Sequence, residues 1–111
     1  MATAQSSSVY LVGATWCGYS KKADAELTAA SSADVAMQVQ QYPVNDVINR
    51  VFCDEPNSDL SVPQQQLCGL AQNGFPILAV CQGQNCTRLL DGYYPNYAKA
   101  SSDAINRYAS Q

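Results

Sequence analysis

Apolar residues in this chain fall into two kinds of segment: short continuous runs, and longer stretches with a repeat of three to four residues. Val9-Tyr10-Leu11-Val12 is apolar without alternation, the pattern of a strand buried on both faces, so a first strand is expected over residues 9–13. Residues 20–32 turn to Lys, Ala, Asp, Glu and Leu, and Ala23, Leu27 and Ala30 fall at i, i+4 and i+7, one apolar stripe of a helix. Residues 31–46 carry no clear period. A helical extension through residues 35–39 is expected there, stopping near Tyr42 because Pro43 disfavours helix in the residue before it. Residues 47–53 form the second strand candidate, and residues 54–59 are a loop by composition. Ser61 suits a cap for a helix that opens at Val62-Pro63, runs to Ala71 and stops at Asn73-Gly74. Residues 76–81 read as the third strand, 82–85 as a turn and 86–90 as the fourth strand. A last helix is expected over residues 96–109, with Tyr97, Ala100, Ala104 and Tyr108 on one face.

The predicted order is βαβαββα, an α/β fold with a four-stranded mixed sheet and flanking helices. Strands one and two, joined through a helix, should be parallel with a right-handed crossover, and strands three and four an antiparallel hairpin. At 111 residues the chain fits one domain, over residues 9–111, after a small polar start of eight residues that reads as disordered or tag-like. A net charge of −3 and a pI near 4.5 argue against nucleic acid as a partner. No apolar run approaches the roughly 20 residues needed to span a bilayer. The absence of histidine excludes Ser-His and Cys-His catalysis and histidine metal sites.

The stretch Ala14-Thr15-Trp16-Cys17-Gly18-Tyr19-Ser20-Lys21-Lys22 joins the first strand to the first helix. A cysteine at such a junction meets unpaired N–H groups and the positive end of the helix dipole, both of which favour the thiolate. Lys21 and Lys22 add positive charge, Trp16 shields one side of the sulfur, and Gly18 leaves room for another backbone.

This stretch resembles the Trp-Cys-x-x-Cys active-site segment of the thioredoxin superfamily, with Ser20 at the place of the second cysteine. Gly74-Phe75-Pro76-Ile77-Leu78, whose proline lies 59 residues after Cys17, is similar to the superfamily's cis-proline loop, which faces that cysteine. The resemblance implies a thioredoxin-like fold and a thiol–disulfide oxidoreductase without cofactor or metal. In it Cys17 attacks a substrate disulfide, the Phe75 backbone pairs with the substrate chain, and Trp16, Gly18, Tyr19 and Pro76 flank it. Tyr93 and Tyr94 read as packing residues. Serine cannot form the second sulfur–sulfur bond, so an external thiol must release the mixed disulfide. Ser20 fits either a native monothiol enzyme or a replaced resolving cysteine that traps complexes. The implied partners of a monomeric protein are a protein disulfide or thiol, glutathione, or a membrane-bound redox partner.

Four further cysteines remain. Cys81 and Cys86 flank a four-residue turn and in a hairpin would lie nearly opposite, within reach of a disulfide. Residues 10–94, apart from the poorly matching 31–46, look like the thioredoxin-like domain fused to vitamin K epoxide reductase homologues. That family carries a cysteine after the second strand and one in the following helix, implying a Cys53–Cys68 bridge. Two bridges and one free thiol account for all five cysteines and favour an oxidising compartment: secreted, periplasmic or an organelle lumen. Loop closure gives about 3 kcal/mol for the longer bridge and about 2 kcal/mol for the shorter. The alternatives are five reduced thiols in a cytoplasmic protein, or a four-cysteine zinc site, whose spacings here lack the usual close pairs. Cys17-Gly18-Tyr19-Ser20 is also similar to the Cys-Gly-Phe-Ser of monothiol glutaredoxins, which implies glutathione and a [2Fe–2S] cluster. The chain has Asp91-Gly92-Tyr93-Tyr94 where that family carries Gly-Gly-x-Asp. A redox-inactive binding module using the cis-proline groove is the third reading. Asn85-Cys86-Thr87 fits a glycosylation acceptor in form and reads as turn residues.

Overall fold

The computed structural model describes residues 7–30 and 34–110. Its first half contains β1 (Ser7–Gly13), α1 (Gly18–Ala29), a 3₁₀ turn (Val35–Met37), β2 (Gln38–Val39), β3 (Tyr42–Pro43), α2 (Val44–Val47) and β4 (Ile48–Phe52). The second half contains α3 (Gln64–Gly69), β5 (Ile77–Gln82), β6 (Asn85–Asp91) and α4 (Tyr97–Ala109). The Val9–Val12 run lies inside the sheet, as its unbroken apolarity requires: β1 is parallel to β4 on one side and antiparallel to β5 on the other. The four-stranded mixed sheet has the order β4-β1-β5-β6, with β5 and β6 an antiparallel hairpin.

Alternate residues of the central strands serve two cores. Val9, Leu11, Ile48, Leu78 and Val80 meet Ala23 and Leu27 of α1 and Tyr97, Ala98, Ala104 and Ile105 of α4. On the other face Tyr10, Val12, Val51, Ile77 and Ala79 meet Val62, Leu67 and Ala71. This second core is the smaller, and both disulfides lie against it, with Cys53, Cys68, Cys81 and Cys86 all among its packed residues. The bridges pair Cys53 with Cys68 and Cys81 with Cys86, so the four sulfurs are joined in pairs rather than arranged as a zinc set. Where apolar burial is thin, covalent closure of the chain supplies restraint.

Several boundaries differ from the sequence expectation, each for a local reason. The expected helical extension at residues 35–39 is a 3₁₀ turn followed by the β2–β3 hairpin. That hairpin turns through Gln40 and Gln41 at positive φ, a two-residue turn made without its usual Asn-Gly chemistry, so no turn signal marks it. Ser61 does not cap α3; its hydroxyl shares a 3.1 Å hydrogen bond with the Tyr10 hydroxyl, and Pro63 stands at the N-cap. Residues 44–47 form α2, so the second large strand starts at Ile48 rather than residue 47. β1 begins at Ser7, within the stretch expected to be unstructured or tag-like; the rest of that stretch, and Ser31 and Ser32 of the expected first helix, lie outside the described residues. The β5–β6 loop is Gly83-Gln84 alone, since Gln82 pairs with Asn85 and Cys81 with Cys86. Gly83 takes positive φ at the first turn position, as a tight hairpin of this kind requires. On α4 the buried face is Tyr97, Ala98, Ser101, Ser102, Ala104 and Ile105, rotated from the expected one, because Ser102 and Asn106 donate to the Gln38 carbonyl at 2.7 and 3.0 Å and so draw β2 against the helix.

Leu67 is the one fully buried residue of the short α3. Leu67→Ala is expected to cost about 2–5 kcal/mol, read as a lower midpoint in urea unfolding followed by circular dichroism.

Candidate functional site

Strand β1 ends in Gly13, and the chain crosses to α1 through a tight turn closed by the Cys17 N–H donating to the Ala14 carbonyl at 3.1 Å. Cys17 is the N-cap of α1, in extended conformation. Its placement follows from the sequence: a buried apolar strand must stop, and the run of good helix formers that opens at Lys21 lies within the next turn. Cys17 is half-buried and is the free thiol among the described cysteines. In its protonated form it donates to the Phe75 carbonyl, with Sγ and O separated by 3.8 Å. The Phe75–Pro76 peptide bond is cis, in the loop that precedes β5.

Ser20 is fully buried in the first turn of α1. Its Oγ accepts the Ala14 N–H at 3.2 Å and lies within reach of Cys17. Burial alone would push the Cys17 thiol up. The Ser20 hydroxyl, with the Ser20 and Tyr19 N–H groups facing the sulfur, outweighs that and holds the thiol below its ordinary value. Gly13 makes this arrangement possible, because a Cβ there would lie 2.6 Å from Ser20 Oγ and 2.8 Å from Ser20 Cβ. A Cβ at Gly18 would meet no atom within 4 Å, so the space beside it is open within this chain.

Two aromatic contacts flank the thiol. Trp16, 71% exposed, meets Phe75 edge-on at 5.8 Å between ring centroids. Tyr19, 61% exposed, stacks on Tyr93 at 5.4 Å, and Tyr93 stacks in turn on the buried Tyr97 at 5.9 Å. Glu26 fastens this stack: it accepts the Tyr93 hydroxyl and the Tyr97 N–H, the latter at 2.7 Å, capping α4 from outside the helix. Burial would raise the Glu26 carboxyl, but these two donors and Lys22 hold it below the usual carboxylate range. Donation to Glu26 pushes the Tyr93 phenol up to about 12, and burial pushes the Tyr97 phenol up as well. Lys22 Nζ sits 5.1 Å from the Tyr93 ring centroid, a cation–π contact. On the opposite side of the turn, Thr15 donates its N–H to Asp54 at 2.9 Å and its hydroxyl to the same carboxylate.

The fold thus brings together Trp16, Cys17, Gly18, Tyr19, Ser20, Phe75 and Pro76. It holds Cys81–Cys86 at the other end of the sheet, where Cys81 pairs with Ser8. Tyr93, Glu26, Thr15 and Asp54 belong to the surroundings of the site and carry no motif in the sequence. A depression of about 680 Å³ opens among Ser7, Val39, Val80, Gln82, Ile105 and Tyr108, at the end remote from Cys17. Cys17 itself lies beside two exposed aromatic side chains, Trp16 and Tyr19. No protein-family model, curated protein or solved structure matches this chain.

Ser20→Ala removes the hydroxyl that favours the thiolate. The pH midpoint for alkylation of Cys17 is expected to rise and the rate at neutral pH to fall several-fold, measured with iodoacetamide and intact-mass detection. Gly13→Ala forces the Ser20 contact apart and is expected to cost about 1–3 kcal/mol in urea unfolding while raising the same midpoint.

Proposed function

We propose that this protein is a thiol–disulfide oxidoreductase with a thioredoxin-like fold, acting through Cys17 on disulfides of other polypeptides. The observation that carries the reading is a half-buried thiol at a helix N-terminus, held low, 3.8 Å from the carbonyl that precedes a cis proline. The active-site segment and the loop at Pro76 are the two places where the sequence resembles the thioredoxin superfamily, and they meet in space. The Cys17 thiolate attacks one sulfur of a substrate disulfide; the substrate S–S bond breaks, a mixed disulfide forms, and the departing thiolate takes a proton from solvent. Ser20 supplies a hydrogen bond to the attacking sulfur and no second thiol. The mixed disulfide is then cleaved by an external thiol such as glutathione or a partner's cysteine, which returns Cys17 to the thiolate. Trp16, Tyr19 and Phe75 give the substrate chain apolar surface beside the sulfur. The two intrachain bridges favour an oxidising compartment for this chemistry. No helix among the described residues is long and apolar enough to cross a membrane.

The test is exchange with a disulfide-bonded peptide. Wild-type protein is expected to accumulate a mixed disulfide at Cys17, visible by non-reducing intact mass and released by glutathione, whereas Cys17→Ser forms none. Ser20→Cys is expected to raise multiple-turnover reduction by at least about tenfold by supplying the resolving thiol. Absence of exchange by both proteins, with peptide binding retained by Cys17→Ser, would leave a binding module as the better description.

A further inference from the structure

Asp54 is an exposed carboxylate in a polar loop, and it forms no salt bridge among the described residues. Both of its oxygens are nevertheless used by one residue: Thr15 donates its N–H to one at 2.9 Å and its hydroxyl to the other. Thr15 is the first central residue of the turn that the Cys17 N–H closes onto the Ala14 carbonyl. The next N–H along, that of Ala14, donates to the Ser20 hydroxyl. A carboxylate on the loop after β4 therefore grips the short segment that delivers Cys17 and orients Ser20. Asp54 is itself held at its root. The Cys53 N–H donates to the Gly13 carbonyl at 2.8 Å, extending the β1–β4 pairing, and Cys53 is covalently joined to Cys68 on α3.

We propose that Asp54 is a positioning residue for Cys17, with the Cys53–Cys68 bridge as its anchor. The proposal rests on the reading of Cys17 as the nucleophile. Its sign separates it from a charge effect. A negative charge near a thiolate disfavours it, so removing the Asp54 charge would by Coulomb's law alone move the Cys17 profile down. Loss of positioning instead spoils the alignment of Ser20 and the first-turn N–H groups with the sulfur and moves the profile up. Lys21, Lys22 and Glu55, the other charges on the adjoining segments, are unchanged in the comparison.

The experiment is the pH dependence of Cys17 alkylation by iodoacetamide, on the full chain and without substrate. Asp54→Ala is expected to move the midpoint up and to slow alkylation at neutral pH roughly threefold. Asp54→Asn keeps an acceptor for the Thr15 N–H and is expected to restore most of the rate. An unchanged or downward-shifted profile for Asp54→Ala would overturn the proposal. The paired change Cys53→Ala with Cys68→Ala is expected to move the profile in the same direction and to add nothing to Asp54→Ala. Additive shifts, no shift, or a protein without native circular dichroism would each overturn the bridge's part as a local anchor. Because alkylation is read without a disulfide substrate, a protein that shows the shift but performs no exchange sinks the proposed function and leaves this inference standing, and the reverse pattern does the opposite.

Discussion

The Ser20 hydroxyl is buried where β1 passes into α1, taking the Ala14 N–H on one side and facing the Cys17 sulfur on the other. A buried hydroxyl without partners costs about 1–3 kcal/mol, so this position is tolerable only while both neighbours stay where they are. The space it occupies exists because Gly13 has no side chain. One fit thus joins the end of the central strand, the start of the first helix and the chemical state of the thiol. A change at any of the three residues is felt by the other two. The aromatic shelf, the Phe75 carbonyl and the Thr15–Asp54 contact are arranged around this joint and depend on its holding its shape.

The two faces of the sheet are secured in different ways. On the α1/α4 face, burial of large residues such as Leu11, Leu27, Leu78 and Tyr97 supplies the cohesion, assisted by Arg50, which bonds Asp24 of α1 at 2.7 Å and the Asn45 side chain of α2. On the α3 face a helix of six residues and a long polar loop cannot bury as much. There, the Gln64 side chain donates to the Phe52 and Glu55 carbonyls at 3.2 and 2.6 Å and accepts the Asn57 N–H at 3.0 Å, a polar staple inside the loop that the Cys53–Cys68 bridge closes. Covalent and polar restraint on one side and apolar burial on the other leave the site at their common edge.

Much of this was legible in the sequence where a pattern has one physical cause. The unbroken apolar run of residues 9–12 specifies a strand covered on both faces, and it lies inside the sheet between β4 and β5. Cys17 stands at a strand-to-helix junction, and the hairpin geometry that pairs Cys81 with Cys86 follows from a tight turn. The β2–β3 hairpin was not legible, because Gln40 and Gln41 adopt left-handed backbone that their residue type does not announce. The first turn of α3 was misplaced because a serine with a distant partner, Tyr10, looks in sequence like a cap. The Glu26–Tyr93 and Thr15–Asp54 contacts escaped for a different reason, although Tyr93 itself packs as its reading expected. They reach across 67 and 39 residues of chain, and no local spacing encodes them.

Trp16 is the single tryptophan of the chain, and it stands largely in solvent one residue before Cys17. Its emission therefore originates at one spot, the mouth of the site. Under the proposed function, docking of a polypeptide or formation of a mixed disulfide would alter the polarity and quenching around that ring, giving an optical reporter of events at Cys17. The same exposure makes the reporter nearly blind to unfolding, because an indole already in water has little further to go. Tryptophan fluorescence would then follow occupancy of the proposed site, while the integrity of the fold has to be followed through its backbone or its buried tyrosines.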